Sequence, residues 1–257
     1  MIFDTHAHYD DAQFDEDREQ LLGSMEEHGV GTIVNVGSTV TSNQVVCELV
    51  KKFPHVYGAV GVHPNETAQL NEENFKWIEG LLEKDKIVAL GEIGLDYHYD
   101  EPKSDIQKLW FERQMELARQ KKKPVIIHSR DGAKDTLDMM KAMKAGEIGG
   151  VIHCFSYSVE MAKEYLNMGY FLGIGGVITY PNAKKLIEVV KYMPIEQLVL
   201  ETDCPYLAPA PNRGKRNSSF NLPYIIEKIA EIKKMDRETI EYITEENARR
   251  LYRMERK

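Results

Sequence analysis

The stretch IVALGEIGLD, residues 87–96, is an almost continuous apolar run with β-branched residues, and a single carboxylate, Glu92, interrupts it. Such a run is typical of a parallel strand that is buried on both faces. A buried carboxylate without a partner is costly, so Glu92 indicates a bound cation rather than a packing residue.

Similar runs recur along the chain and separate amphipathic stretches of helical length, among them residues 15–29, 104–123 and 158–169. Eight runs read as strands: residues 3–6, 31–37, 56–63, 87–96, 124–130, 149–156, 170–176 and 198–203. Strands that alternate with helices predict parallel βαβ units, and eight of them predict an α/β fold, the closed (β/α)8 TIM barrel. An open doubly wound sheet is the alternative, but it leaves the ligand pattern described below unexplained.

The composition is that of an ordinary globular protein, with 42% hydrophobic and 29% charged residues among 257. We find no linker or low-complexity segment, so residues 1–257 are predicted to form one domain. The net charge of −8 excludes a protein that coats nucleic acid through a general positive field. Three cysteines without a CxxC motif favour a reducing cytoplasm, and neither a signal peptide nor a membrane-spanning run is expected.

Potential metal ligands cluster at the ends of the predicted strands. His6 and His8 follow the first strand with the i, i+2 spacing that places two side chains on one face. The others lie in or after later strands: His63, Glu92, His128, His153 and Asp203. In a barrel the carboxyl ends of the strands meet on one face, so these groups are expected to converge there.

This ligand set predicts two divalent ions. Four histidines, two carboxylates and no thiolate are too many for one closed site but suit two ions that share a carboxylate. We expect Mg²⁺, Mn²⁺, Zn²⁺ or Ni²⁺, with a hydroxide between the ions that attacks phosphorus. Structural roles stay open for His63 as a loop residue and for His153 as a core residue. Glu201 either supports or competes with Asp203, and Asp4 either orients His6 or simply begins a strand.

Six motifs in order along the chain resemble the TatD family of metal-dependent deoxyribonucleases, within the amidohydrolase-like barrels. They are FDTHAH (3–8), VGVHP (60–64), GEIGLDYH (91–98), VIIHSRD (125–131), HCFS (153–156) and ETDCPYLAP (201–209). The resemblance implies that His6, His8 and Asp203 bind one ion, that His128 and His153 bind the second, and that Glu92 bridges them. It also implies that His63 lies near the scissile phosphate. One segment departs from the family pattern, because Ser218 and Ser219 stand where Glu-Pro is expected.

The expected activity is removal of nucleotides from DNA ends, in the manner of a 3′ exonuclease acting on single strands. Asp203, Glu92 and His63 are the predicted catalytic residues, and Arg130, Arg213 and Lys215 are candidates for binding phosphate. No obligate protein partner is inferred. An amidohydrolase-type enzyme acting on a small amide, lactone or phosphoester is the main alternative, and a non-catalytic metal-binding barrel is the second.

Overall fold

The computed structural model describes residues 1–255 and shows one eight-stranded parallel sheet in the order β1 to β8. The strands are β1 Ile2–Ala7, β2 Val30–Val36, β3 Val56–Val60, β4 Ile87–Asp96, β5 Val125–Arg130, β6 Gly150–Ile152, β7 Phe171–Ile174 and β8 Leu198–Leu200. Each strand pairs with the next one along the chain. This is the (β/α)8 TIM barrel predicted from the alternation of strands and helices.

The barrel closes between β1 and the segment around β8. The Thr5 hydroxyl donates to the Leu200 carbonyl at 2.9 Å, and the Asp203 amide donates to the His6 carbonyl at 2.9 Å. The His8 amide donates to the Cys204 carbonyl at 2.8 Å, beside an isolated parallel bridge between residues 7 and 204. Because these contacts join the first strand to the last, the open doubly wound alternative is excluded.

Helices surround the sheet, and nine α-helices are present in residues 1–255. They are α1 Arg18–Gly23, α2 Val40–Lys52, α3 Glu72–Leu81, α4 Ser104–Lys121, α5 Ala133–Ala142, α6 Val159–Asn167, α7 Lys184–Tyr192, α8 Leu222–Lys233 and α9 Arg237–Tyr252. In this part of the chain none of the helices combines the length and the apolarity needed to cross a membrane.

Two hydrophobic clusters account for the core. The larger lies between the strands and the helices. The smaller contains residues from nearly every strand, such as Phe3, Val34 and Ile126, and only the lumen of a barrel brings such residues together. The last turn of α9 packs into the same cluster, where Tyr252 donates its hydroxyl to the Thr5 carbonyl at 2.7 Å. The lumen is therefore filled with side chains, and the site must lie above them.

Two features differ from the sequence-based expectation. The predicted helix over residues 15–29 is broken into the short helix α1 and 3-10 turns at Ala12–Phe14 and Glu26–His28. Five strands end earlier than predicted, and in three of them this places His63, His153 and Asp203 after the strand rather than within it. The backbone at Cys154 and Asp203 has left-handed φ angles of 45° and 55°, which an extended strand does not allow.

Candidate metal centre

The seven site residues predicted from sequence lie together at the carboxyl end of the barrel. His6 lies in β1, Glu92 in β4 and His128 in β5, while the other four follow a strand. Glu92, His6 and His153 are buried, with 3%, 1% and 6% of their surfaces exposed. The structure therefore brings distant parts of the chain into one pocket whose polar groups are largely shielded from bulk water.

One half of the centre is formed by His6, His8 and Asp203. The Nε2 atoms of the two histidines are 3.0 Å apart. The Asp203 Oδ1 atom lies 3.7 Å from Nε2 of His6 and 3.3 Å from Nε2 of His8. These three side chains offer ligand atoms close enough together for one ion.

The other half is formed around Glu92, and its carboxylate faces both halves. The Oε1 atom of Glu92 lies 2.7 Å from Nδ1 of His128 and 3.0 Å from Nε2 of His153. Its Oε2 atom lies 3.5 Å from Nε2 of His6 and 3.7 Å from Nε2 of His8. A single carboxylate thus places one oxygen on each side of the centre.

Contacts of the outer nitrogen atoms orient two of these histidines. Nδ1 of His8 lies 2.8 Å from the Val36 carbonyl, so Nδ1 donates to that carbonyl and Nε2 faces the centre. Nε2 of His128 lies 3.0 Å from Oδ2 of Asp96, which leaves Nδ1 facing Glu92. Such outer contacts are the usual means by which proteins orient imidazole ligands.

His63 is oriented in the opposite sense. Its Nδ1 accepts a hydrogen bond from the Asn65 amide at 3.1 Å, because His63 caps the 3-10 turn that follows it. Burial lowers the pKa of His63 to about 3, with a further contribution from His128, so the ring is neutral. A neutral ring whose Nδ1 is an acceptor carries its proton on Nε2, which lies 3.8 Å from Oε1 of Glu92. His63 therefore presents an N–H donor to the pocket, whereas His8 turns to the pocket the nitrogen that would bind an ion once its proton is displaced.

The electrostatics of the pocket fit divalent cations. Burial opposes ionisation of Glu92, but the charge of His153 and the hydrogen bonds to His128 and His153 outweigh burial and hold the pKa of Glu92 well below its usual value. Burial likewise opposes protonation of His8, yet Asp203 raises the pKa of His8 to about 9. The carboxylates therefore attract positive charge, and divalent ions bound at this position would take the place of the histidine protons.

The chemistry of the donor atoms also fits divalent cations. Imidazole nitrogens and carboxylate oxygens suit Zn²⁺, Mn²⁺, Ni²⁺ and related ions. Cys154 follows His153, but burial raises the pKa of its thiol, so it remains protonated at neutral pH and is a poor ligand. The residues present therefore fit a metal centre built from nitrogen and oxygen donors.

Asp4 supports the first strand from behind. Its Oδ1 accepts from the amides of Thr202 at 3.1 Å and His6 at 3.3 Å, and its Oδ2 accepts from the hydroxyls of Thr202 at 2.7 Å and Ser219 at 2.6 Å. Asp4 therefore fixes the backbone at His6 rather than the ring. Ser219, one of the two residues that depart from the family pattern, completes this buried network.

The candidate phosphate-binding residues lie on the exposed rim. Arg130, at the end of β5, places its guanidinium 5.8 Å from the centre of the Tyr99 ring. Arg213 stacks over Tyr180 at 4.5 Å, and Lys215 follows in the same exposed loop. The role of these three residues in binding phosphate stays a prediction.

The sequence-based reasoning missed Asp96. This residue is buried, touches His128 and accepts from the Asn65 side chain at 3.2 Å. Its hydrogen bond with His128 holds the pKa of Asp96 at about 2 although burial opposes it. The signal was available, because Asp96 lies four residues after Glu92 in the same strand, where alternate residues share a face.

Comparisons with known proteins find similarity along almost the whole chain. A family model described as TatD related DNase matches residues 3–253. The metal-dependent hydrolase YabD of Bacillus subtilis (strain 168) is 43% identical over 254 residues, which cover 99% of this chain and 100% of YabD. The metal-dependent hydrolase YcfH of Escherichia coli (strain K12) is 32% identical over 99% of this chain and 97% of its own length. The crystal structure of YjjV, a TatD homologue from E. coli K12, is similar with a TM-score of 0.93 at 30% identity, covering 99% of this chain and 98% of YjjV.

Proposed function

This chain belongs to the TatD related DNase family and is a metal-dependent hydrolase, and from that premise we propose that it hydrolyses phosphodiester bonds and removes nucleotides from single-stranded DNA ends. The observation that carries the proposal is the position of Glu92. One of its oxygens lies near His6 and His8, and the other lies near His128 and His153. A carboxylate shared in this way suits two ions placed side by side, the arrangement that supports displacement at phosphorus.

In this proposal two divalent ions occupy the centre. His6, His8 and Asp203 would hold the first ion, His128 and His153 the second, and Glu92 would bridge the two. When bound, the ions supply an activated water and positive charge opposite the developing negative charge on the phosphoryl oxygens. The side chains described above provide orientation, proton transfer and substrate binding.

Asp203 is suited to accept a proton during the reaction. Burial opposes its ionisation, but the hydrogen bond to His8 and the charges of the nearby histidines lower the pKa of Asp203 below its usual value. Its Oδ1 faces His6 and His8, which leaves the second oxygen of the carboxylate for a proton. An ionised carboxylate at the reacting centre is a competent general base.

His63 is suited to bind the scissile phosphate as a neutral donor. Its Nε2–H faces the pocket because Nδ1 is committed to the Asn65 amide. A neutral imidazole donor stabilises charge on a phosphoryl oxygen without itself transferring a proton. We therefore assign His63 an electrostatic role rather than a general-base role.

The substrate is proposed to be a DNA end because the positive groups are few and local. The chain carries a net charge of −8, so a long duplex would be repelled over most of the surface. Arg130, Arg213 and Lys215 would each contact phosphate near the centre. The three free cysteines support a cytoplasmic location, where thiols stay reduced.

The test uses single-stranded DNA labelled at either end and incubated with Mg²⁺ or Mn²⁺. The wild type is expected to release nucleotides from one labelled end, and a chelator is expected to abolish the release. Glu92→Ala and Asp203→Ala are expected to abolish release without loss of folding.

Asp131→Asn serves as the matched control. Asp131 lies on the same rim and pairs with an exposed histidine, His98, at 3.3 Å. The Asp131→Asn variant is expected to cleave the labelled DNA at the wild-type rate. Cleavage that survives both Glu92→Ala and Asp203→Ala would come from another nuclease and would remove the case for this function.

A further inference from the structure

Glu201 lies beneath the centre and has no role in the proposed mechanism. It follows β8, and only 1% of its surface is exposed. Above it, the rings of His6 and His153 are stacked, with centres 3.9 Å apart and planes inclined by 18°. These two histidines belong to different halves of the centre, so Glu201 lies where the two halves meet.

The orientation of the two rings leaves their Nδ1 atoms turned away from the ions. Nε2 of His6 and Nε2 of His153 both face Glu92, at 3.5 Å and 3.0 Å. The Nδ1 atoms therefore lie on the opposite edges of the rings. Within residues 1–255, both Nδ1 atoms are buried and make no hydrogen bond, and the same holds for Oε2 of Glu201.

The three residues that carry these atoms lie close together. One nitrogen of His6, one nitrogen of His153 and one oxygen of Glu201 are all within 4.8 Å of one another. Oε1 of Glu201 is 3.5 Å from Nδ1 of His153. Buried donors and acceptors rarely stay unpaired, so their grouping indicates that they serve one another.

The carboxylate of Glu201 occupies a fitted slot. The Cys154 amide donates to its Oε1 at 2.6 Å. Gly173 in β7 leaves room for the other oxygen, because a Cβ atom at Gly173 would lie 2.1 Å from Oε2. The slot holds Glu201 on the far side of the imidazoles from Glu92, so Glu201 does not compete with Asp203 for an ion.

We propose that Glu201 is a positioning residue that accepts the Nδ1–H groups of both His6 and His153, and so orients one ligand of each ion. This inference rests on the two-ion arrangement of the proposed function. Asp96 differs, because within residues 1–255 its hydrogen bonds reach just one of the six predicted metal ligands, His128, which belongs to the second ion. Glu201 therefore orients one ligand of each ion, whereas Asp96 orients a ligand of the second ion alone.

The test measures Mn²⁺ binding to the metal-free full chain by calorimetry, with electron paramagnetic resonance to distinguish single ions from coupled pairs. Glu201→Gln keeps the shape of the side chain but replaces one acceptor oxygen by a donor. It is expected to weaken both Mn²⁺ sites by about 10–100-fold, as loss of outer contacts to ligating histidines does. Asp96→Asn is expected to weaken one site, and Asp131→Asn, the exposed control, neither.

Wild-type affinity at both sites of Glu201→Gln, or loss at only one of them, overturns the inference, as does a wild type that binds a single ion. Thermal unfolding of the metal-free proteins shows whether each variant folds. If Glu201→Gln does not fold, Gly173→Ala displaces the carboxylate without changing charge and must weaken both sites. The readout does not depend on cleavage, so a wild type that binds two ions but leaves DNA intact would defeat the proposed function alone.

Discussion

Removal of the Ser219 hydroxyl tests the buried network behind the first strand. This hydroxyl donates to Oδ2 of Asp4 at 2.6 Å and lies 2.9 Å from the Tyr9 hydroxyl. Since Ser219 uses its proton for Asp4, the Tyr9 hydroxyl must donate to Ser219. Ser219→Ala therefore removes one donor from a buried acid and one acceptor from a buried phenol.

The expected loss of stability follows from these two contacts. A hydrogen bond to a charged group contributes about 1.5–3 kcal/mol, and a buried donor left unpaired costs about 1–3 kcal/mol. Thr202 still donates to Asp4, at 2.7 Å, and limits the loss. We expect Ser219→Ala to lower the free energy of unfolding by about 3 kcal/mol, which corresponds to a fall in Tm of roughly 6–12 °C in a chain of this size.

The loss should also depend on pH. Burial raises the pKa of Asp4 to about 7, and the Ser219 hydrogen bond opposes that rise. Removal of the hydroxyl raises the pKa of folded Asp4 further, so the destabilisation is larger where Asp4 is ionised in the wild type. Ser219→Ala is therefore expected to cost more at about pH 8.5 than at about pH 5.5.

Chemical unfolding of the metal-free protein at both pH values measures the effect. Ser218→Ala is the control, because the neighbouring Ser218 is only partly buried and its side chain makes no capping hydrogen bond. It should change stability by no more than about 0.5 kcal/mol. If Ser219→Ala is no worse than Ser218→Ala at either pH, the network does not stabilise the fold as described.

Three further predictions follow from the same geometry. In the proposed mechanism His63 donates to phosphate and holds no ion, so His63→Ala should lower kcat for DNA cleavage by about 10²–10³-fold while the Mn²⁺ stoichiometry stays unchanged. Calorimetry that shows a lost ion would contradict this role. Folded Asp4 keeps its proton up to about pH 7, whereas the unfolded chain loses it near the ordinary aspartate pKa of 3.8, so this contribution to stability is present at low pH and is lost as pH rises to 7. Across that pH range the free energy of unfolding of the metal-free wild type should fall by about 4 kcal/mol relative to that of Asp4→Asn. Parallel curves of unfolding free energy against pH for the two proteins would refute this prediction. Arg213→Ala and Lys215→Ala should each reduce the slope of log affinity for single-stranded DNA against log salt concentration by about 0.7. Binding is measured in the inactive Glu92→Ala background. Lys163→Ala, on the exposed face of α6, should leave the slope unchanged.

The position of the site could be predicted because it depends on strand ends. Residues such as His128 and Glu92 lie within strongly apolar runs, and a polar group there has few structural explanations. Once eight such runs predict a barrel, convergence of their carboxyl ends follows from geometry alone. The ends of the strands were less predictable, because backbone hydrogen bonds to neighbouring strands continue past Ile152 and Leu200, and the strands end at left-handed φ angles of Cys154 and Asp203 that periodicity does not reveal.

Features set by tertiary contacts could not be predicted. Residues 15–29 have the spacing of a helix, but Arg18 donates to the carbonyls of Asp10 and Asp11 and ties the segment to the preceding loop. The direction in which His63 presents its proton depends on the Asn65 amide, and the role of Glu201 depends on the slot beside Gly173. Periodicity carries no information on such contacts, because each depends on a particular atom rather than on a pattern.

The join between the first and last strands has a consequence for synthesis on the ribosome. Asp4 and Thr202, which meet there, are 198 positions apart in sequence. His6 and His8 leave the ribosome early, yet their third partner, Asp203, emerges only after the eighth strand. A nascent chain can therefore offer a cation no more than an incomplete set of donors for most of its synthesis. All three donors of this half of the pocket come together only once the eighth strand has been made and the segment after it has joined the first strand.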